Sequence, residues 1–318
     1  APLQALSDEY SDLRSWSRTR GLLGGDRRRA MGPGYSHVQA VGGSTLHYVG
    51  EAHRMHERSL RLKSEFGVGA DWPLTYQQLE PYYTQAEVLI GVAGPSQQAG
   101  RPRSTPFPLP EHPFSPASQQ LVQAGFAQGM NWQANSRAAL SRPYDGRPSC
   151  NYCANCNRGC PIGDKGSADV TFIRKAEQTG NLQIKSSCPV VQIKRSPDGR
   201  ITSVVYIEMA QRHEVEASIF VVSAGAVQTP RLLLANGLAK SSDQVGRNFM
   251  ETLYWQSAGL LPGLSHSHVG LQSDAICWDF NAPDAIPDVV GGCRFHSSTT
   301  ETGLNGPVGY ASRLIGGF

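Results

Sequence analysis

Val215-Glu216-Ala217-Ser218-Ile219-Phe220-Val221-Val222-Ser223, then Ala224-Gly225-Ala226, then Val227-Gln228-Thr229-Pro230-Arg231-Leu232-Leu233-Leu234, is the stretch that decides the fold. Its first part reads as a buried strand carrying Val215, Ala217, Ile219, Val221 and Val222. Three small residues turn the chain, and a helix is predicted from there to Gly237. Strand, small-residue turn and helix form the unit by which α/β folds bring ligands to the ends of strands. Upstream residues extend the pattern. Ala168 to Thr179 is predicted helical and Leu182 to Lys185 a strand. Val190 to Arg195, the turn Pro197-Asp198-Gly199-Arg200, and Ile201 to Met209 predict a β-hairpin. We find no internal repeat.

The N-terminal part is organised differently. Residues 1–30 are polar and Arg-rich, with little periodicity. Val38 to Val49 carries Gly42-Gly43 between apolar positions, as a backbone passing close to a ligand requires. Asp71-Trp72-Pro73-Leu74-Thr75 reads as a turn and helix entry. The following Tyr76 to Val92 has helical spacing, with Leu79, Tyr82, Tyr83, Ala86, Leu89 and Ile90 on one face. Residues 94–116 hold seven prolines and predict an extended crossing. Ser118 to Gly129 predicts a helix with Leu121, Ala124 and Phe126 inward.

Composition narrows the class. A chain of 318 residues suggests two domains, or one large domain with insertions, and 39% apolar residues suffice for a core. No apolar run reaches the roughly 18 residues of a spanning helix. A formal charge of +3 is too weak a bias to argue for nucleic acid, and none is expected as a partner. The sequence starts at Ala1 and ends Ile315-Gly316-Gly317-Phe318, from which we expect a processed or incomplete chain.

Four of seven cysteines fall within eleven residues: Cys150, Cys153, Cys156 and Cys160, with Pro161 after the last. Cys188, Cys277 and Cys293 are scattered. The run has the spacing of bacterial ferredoxins, whose short steps let one loop wrap several thiolates around an Fe–S cluster. Zinc is the weaker alternative, because structural zinc sites usually draw cysteine pairs from two separated knuckles. Disulfides and free thiols are the remaining alternatives. A cluster moves one electron at a time, so a redox partner is implied.

Several segments together resemble one family, the glucose–methanol–choline (GMC) oxidoreductases. Val41-Gly42-Gly43-Ser44-Thr45-Leu46-His47-Tyr48 looks like the family's flavin-contacting loop. Asp71 to Tyr76, Glu80-Pro81-Tyr82-Tyr83 and Ala86-Glu87 are similar to its usual helix entry. Ser223 to Leu233 resembles its second pattern, and Val245-Gly246-Arg247-Asn248-Phe249-Met250 a segment that follows. The cysteine run narrows the resemblance to the cluster-bearing branch, the large subunits of bacterial membrane-bound glucose, gluconate, fructose and sorbitol dehydrogenases. There, cysteines at the spacing of Cys150, Cys156 and Cys160 hold a three-iron, four-sulfur (3Fe–4S) cluster. Cys153 is an addition to that pattern. It is either a fourth ligand, giving a 4Fe–4S cluster, or a spare thiol bonded to a partner chain.

The resemblance implies an FAD enzyme that takes hydride from a substrate hydroxyl and passes electrons singly to the cluster, then to a cytochrome c or quinone. It places Gly42, Gly43 and Ser44 against the flavin and its phosphates. His47 falls where some relatives set a histidine beside the flavin ring, covalently bonded in certain members; the plainer reading is a histidine hydrogen-bonded in a tight turn. Val190 matches a position whose backbone meets adenine, and Ser223 and Ala224 match positions close to the FAD. Their plainer readings are a strand-core valine and close strand–helix packing. The expected substrate is a sugar, sugar acid or polyol, with a non-sugar alcohol or a non-catalytic electron-transfer subunit as alternatives. The expected partners are a small export or chaperone-like subunit and a cytochrome c subunit. The expected place is the periplasm, peripheral to the inner membrane, with the cytoplasm as the alternative.

Two parts of the family pattern are missing. No Gly-x-Gly-x-x-Gly follows an N-terminal strand, and the catalytic His with its His or Asn partner has no match, so no catalytic base is assigned. We therefore expect a middle portion of a longer polypeptide. The expected fold is α/β, an FAD-binding GMC-type core with a substrate domain and an inserted cysteine-rich loop. The core takes residues 1–141, with the flavin loop at 38–49 and a helical segment at 71–92, and resumes at 170–250. The cluster loop is 142–169, and 251–318 begins the substrate domain.

Overall fold

The computed structural model describes residues 16–19, 35–38, 40–250, 252, 257, 263 and 269–298. Contacts divide the chain into two compact units, residues 1–182 with 258–318, and residues 183–257.

The larger unit begins with β1 (Trp16–Thr19) antiparallel to β2 (Tyr35–Val38). A short helix, α1 (Leu62–Phe66), precedes the longest one, α2 (Tyr76–Ile90). Thr75 starts α2 with a reciprocal cap. Its Oγ1 accepts from the Gln78 amide at 3.2 Å, and the Gln78 side chain accepts from the Thr75 amide at 2.8 Å. Gly91 ends α2 at φ 82°, where a Cβ would meet Leu140 Cδ2 at 2.7 Å.

The inward face of α2 is the predicted one only in part: Leu79, Tyr83, Ala86 and Ile90 are half-buried. Tyr82 is 68% exposed and Leu89 is exposed, while Tyr76 and Glu87 are buried. An ion-pair network sets the rotation. Arg54 donates to both Glu87 carboxylate oxygens at 2.9 Å and to Glu80 Oε1 at 2.8 Å. Arg103 clasps the same Glu87 from Nη1 and Nη2 at 3.0 and 2.5 Å. Two guanidinium forks on one carboxylate draw Glu87 inside beside those apolar residues.

The proline-rich crossing holds only the two-residue strands β3 (Ala93–Gly94) and β4 (Leu109–Pro110), paired in parallel. Next comes α3 (Pro116–Ala127), started by Ser115, whose Oγ accepts from the Ser118 amide. This helix turns a face inward that differs from the predicted one. Ser118, Val122 and Gly125 are buried, whereas Leu121 and Phe126 are exposed. The reason is a ring laid on the helix backbone. A Cβ on Gly125 would stand 2.3 Å from Trp132 Cδ1, so only glycine admits Trp132 there. Trp132 opens β5 (Trp132–Ala134), which pairs with β9 (Ala275–Cys277), and β9 pairs with β10 (Phe295–His296), both antiparallel. Val122, Trp132, Ala275 and Cys277 form one core cluster under this sheet.

After the cysteine loop, a π-helical turn (Asp169–Ile173) runs into α4 (Arg174–Gln178), where a helix was predicted.

The smaller unit contains β6 (Val190–Arg195), β7 (Ile201–Glu208) and β8 (Gln211–Glu216), an antiparallel sheet in chain order, followed by α5 (Gly225–Ala235). The predicted hairpin forms as β6 and β7. Asn236, just past α5, ties helix to sheet by accepting the Ile193 amide at 2.9 Å. Two strands are corrected. Leu182 to Lys185 is irregular, and β8 stops at Glu216, leaving 217–223 without strand structure. Ile219 and Val221 are 80% and 82% exposed. Among the described residues no strand lies beside 217–223, and a strand with no neighbour has nowhere to place its backbone donors and acceptors.

Candidate functional site: the glycine loop stitched to the cysteine loop

Gly42 adopts φ 96° and opens a 3-10 turn over Gly43–Leu46. A Cβ at Gly42 would press on Leu46 and Asp169 at 3.1 to 3.4 Å. Gly43, also at positive φ, has nothing within 4 Å of where its Cβ would stand, so the loop's outer side is open. Ser44 is exposed, with its Oγ accepting from the Val38 amide at 3.4 Å.

The inner side of this loop is sewn to the cysteine loop. Thr45 Oγ1 donates to the Gly42 carbonyl at 2.5 Å and accepts from the Ala168 amide at 2.9 Å. Buried His47 donates from Nδ1 to the Asn157 carbonyl at 3.2 Å. Tyr48 Oη donates to the Gly166 carbonyl at 2.8 Å. Lys165 sits between the loops, 1% exposed, donating to the carbonyls of Leu46, Tyr48 and Cys156 at 2.8, 3.0 and 2.6 Å. The structure thus brings Gly42, Gly43, Ser44 and His47 together with the cysteines. Val190, Ser223 and Ala224 lie in the smaller unit, all exposed, with the Ala224 amide donating to Thr229 Oγ1.

Within the cysteine run, Cys156 is buried in a core cluster with Ala139 and Leu271, and Cys150 packs against that cluster. Cys160 donates its thiol to Asp164 Oδ1 at 2.7 Å. Cys153 is exposed and its backbone bridges to Gly270. Burial raises the Cys160 thiol to about 11, with the Asp164 hydrogen bond adding to the effect. Burial also raises Cys150 and Cys156, and the Asp164 charge acts on both in the same direction. Asp164 thus touches Cys160, and its charge reaches Cys150 and Cys156. It is 3% exposed, and its Oδ2 has no hydrogen-bond partner.

Three buried cations surround the group. Arg137, 0% exposed, donates to the carbonyls of Ser273 and Val49. Arg147 donates to those of Asp164 and Ile90. Lys165 makes the bonds given above. All of these bonds go to neutral carbonyls, while Glu51 and Asp274 act on Arg137, Asp145 and Asp164 on Arg147, and Asp169 and Asp164 on Lys165 through charge alone. Arg137 and Lys165 both act to lower the Cys156 thiol, against its burial. Desolvation lowers Arg137, Arg147 and Lys165 in turn, outweighing those carboxylates. Thiolates binding an iron–sulfur core would add negative charge beside Arg137 and Lys165, both of which act on Cys156. The donor set therefore fits such a cluster, although among the described residues no three His, Cys, Asp or Glu side chains converge as ligands of a single metal ion would.

Sequence reasoning found the cysteines and the glycines but not Asp164, Lys165, Arg137 or Arg147. A signal for the first two lay in Gly163-Asp164-Lys165-Gly166, a charge pair between glycines directly after the cysteine run.

The sequence signature of the GMC oxidoreductases matches residues 36–253, and the chain belongs to this family. Its mixed helix and strand content agrees with the α/β fold expected of it. The chain is 35% identical to the fructose dehydrogenase large subunit of Gluconobacter japonicus over 225 residues, 67% of this chain and 41% of that protein. It is 32% identical to 2-methyl-1,2-propanediol dehydrogenase of Mycolicibacterium austroafricanum over 66% of this chain and 40% of that one. With the gluconate 2-dehydrogenase flavoprotein of Pantoea cypripedii it shares 24% over 76% and 46% of the two chains. The chain thus spans less than half the length of these relatives.

Proposed function

We propose that this polypeptide is part of the catalytic subunit of an FAD-dependent dehydrogenase that oxidises a hydroxyl of a sugar, sugar acid or polyol. Its electrons leave through an Fe–S cluster held by Cys150, Cys156 and Cys160 to a cytochrome c or quinone. The observation that carries the reading is the seam between the glycine loop and the cysteine loop. The loop that resembles the flavin contact and the loop that fits a cluster share Lys165 as one anchor. FAD supplies the hydride acceptor when bound. Around it, Gly42 and Gly43 allow close backbone approach, and Ser44 offers an exposed hydroxyl on the open side. Val190, Ser223 and Ala224 are the proposed further contacts, in the smaller unit. Arg137 and Lys165 favour the charged form of Cys156. The proposed partners are a cytochrome c subunit and a small export subunit, and the proposed place is the periplasmic face of the inner membrane.

The sugar or polyol substrate is supported by similarity to the fructose and gluconate enzymes. A second reading, a non-sugar alcohol, is favoured by the comparable identity to the propanediol enzyme. The test is released flavin, iron and acid-labile sulfide on one purified sample, followed by turnover of a panel of sugars, sugar acids, polyols and simple diols with a one-electron acceptor dye. FAD with iron and sulfide, and turnover of sugars or polyols, is the expected result. Iron without flavin overturns the enzyme reading, and turnover confined to simple diols moves the substrate to the second reading.

A further inference from the structure

Arg101 lines a cavity of about 270 Å³ in the larger unit, with His53, His56, Trp278, Asn281 and Arg294 around it. No Asp or Glu is among the described residues that line this cavity. Arg101 is 3% exposed, and its guanidinium lies 3.7 Å from the centre of the Trp278 ring. Nε donates to the Arg54 carbonyl at 2.8 Å, Nη1 to the Ala99 carbonyl at 2.9 Å, and Nη2 to Asn281 Oδ1. Every one of these acceptors is neutral. Among the described residues, the charge beside Arg101 at neutral pH is that of Arg294, which has the same sign. Burial, with that charge adding, lowers Arg101 to about 10. A cation buried this deeply ordinarily faces a carboxylate. The other arginines that line the cavity have theirs: Arg54 holds Glu80 and Glu87, and Arg294 donates to Glu51 at 2.8 Å.

The donors left over define a ligand. Arg101 has one N–H on each Nη beyond the three bonds above, and a pair of N–H groups is what the two oxygens of a carboxylate take. Asn281 has its Oδ1 on Arg101, which leaves its NH2 to donate. His56 Nδ1 accepts the Arg58 amide at 3.2 Å, which puts the ring proton on Nε2. One uncompensated cation among neutral donors matches a monoanion that also carries hydroxyls. A second cavity, about 220 Å³, shares His53 and Arg54 with the first and is lined by Tyr48, at the end of the loop that resembles the flavin contact. Resting on the dehydrogenase reading above, we infer that Arg101 holds the carboxylate of a sugar acid in this cavity, so that the substrate class is sugar acids and not neutral sugars or polyols.

The experiment is isothermal titration calorimetry of the purified protein with gluconate and with glucitol, which has CH2OH where gluconate has the carboxylate. Dithionite keeps any flavin reduced, so binding is read without hydride transfer. Glucitol is expected to bind about 10- to 100-fold more weakly than gluconate. Arg101→Met is expected to lose that preference, and Arg101→Lys, which keeps the charge without the fork, to fall between the two. Asn281→Asp supplies the missing anion from the protein itself. It is expected to unfold at a higher temperature than the wild type and to bind gluconate no better than glucitol. If Arg101→Met does not fold, Asn281→Asp decides. The inference is overturned if the wild type binds the two compounds alike, or if either variant keeps the wild-type preference for gluconate. A merely structural Arg101 gives the latter result, with a loss of stability alone in Arg101→Met. Displacement of gluconate by equimolar inorganic phosphate would make this a phosphate site and also overturns the inference. A protein with FAD that turns over neutral sugars but shows no preference for gluconate overturns this inference and leaves the dehydrogenase reading standing. A protein without FAD that binds gluconate through Arg101 does the reverse.

Discussion

At the scale of single residues, buried charge organises the larger unit. Arg54 is 2% exposed and bonded to two carboxylates. Arg54→Met should cost about 3–5 kcal/mol in urea unfolding, because it leaves Glu87 buried with Arg103 as its remaining charged partner. His53 makes a pH prediction. Burial first, with the Arg294 and Arg101 charges adding and the Glu51 charge opposing, holds it at about 4, below its ordinary 6.5. It is neutral when folded, and the unfolded chain binds the extra proton between those values. Stability is therefore full above about pH 6.5 and declines toward pH 4 at up to about 1.4 kcal/mol per pH unit. Burial lowers His112 and His296 too, so they act with the same sign. His53→Gln should flatten the profile in that window; an unchanged slope would mean that His53 is protonated in the fold. Neither Arg54 nor His53 announced itself in the sequence. A charged residue in a polar stretch reads as solvated until the fold shows what closes over it.

At the scale of elements, what was legible was local. The helix of Tyr76–Ile90 was readable from its period and the Thr75 entry, and the β6–β7 hairpin from its turn. Thr75→Ala should lower stability by about 1 kcal/mol, read as a shift in the unfolding midpoint with unchanged slope. The inward face of α3 was misread, and that of α2 in part, for one physical reason. Hydropathy ranks side chains, but Glu87 goes inside because two arginines meet it, and Gly125 because Trp132 needs the space. Gly125→Ala, ordinarily favourable in a helix, should here cost about 1–3 kcal/mol by overpacking. A neutral result would show that the Trp132 ring can swing away.

At the scale of the whole molecule, the family was legible, because short motifs specify backbone turns directly. The strand at 217–223 was not. Whether an apolar run becomes a strand depends on a neighbour that its own residues do not encode. Ile219 and Val221 stand open in this chain. The 318-residue polypeptide should bind a hydrophobic dye, and Ile219→Lys with Val221→Lys should reduce that binding severalfold. Dye binding untouched by the pair would mean that the segment is covered.

The placement of Lys165 carries a consequence for both loops. One ammonium fastens Leu46 and Tyr48 on one side and Cys156 on the other. The two loops are therefore one mechanical piece, and whatever disturbs the cysteine side is felt on the glycine side.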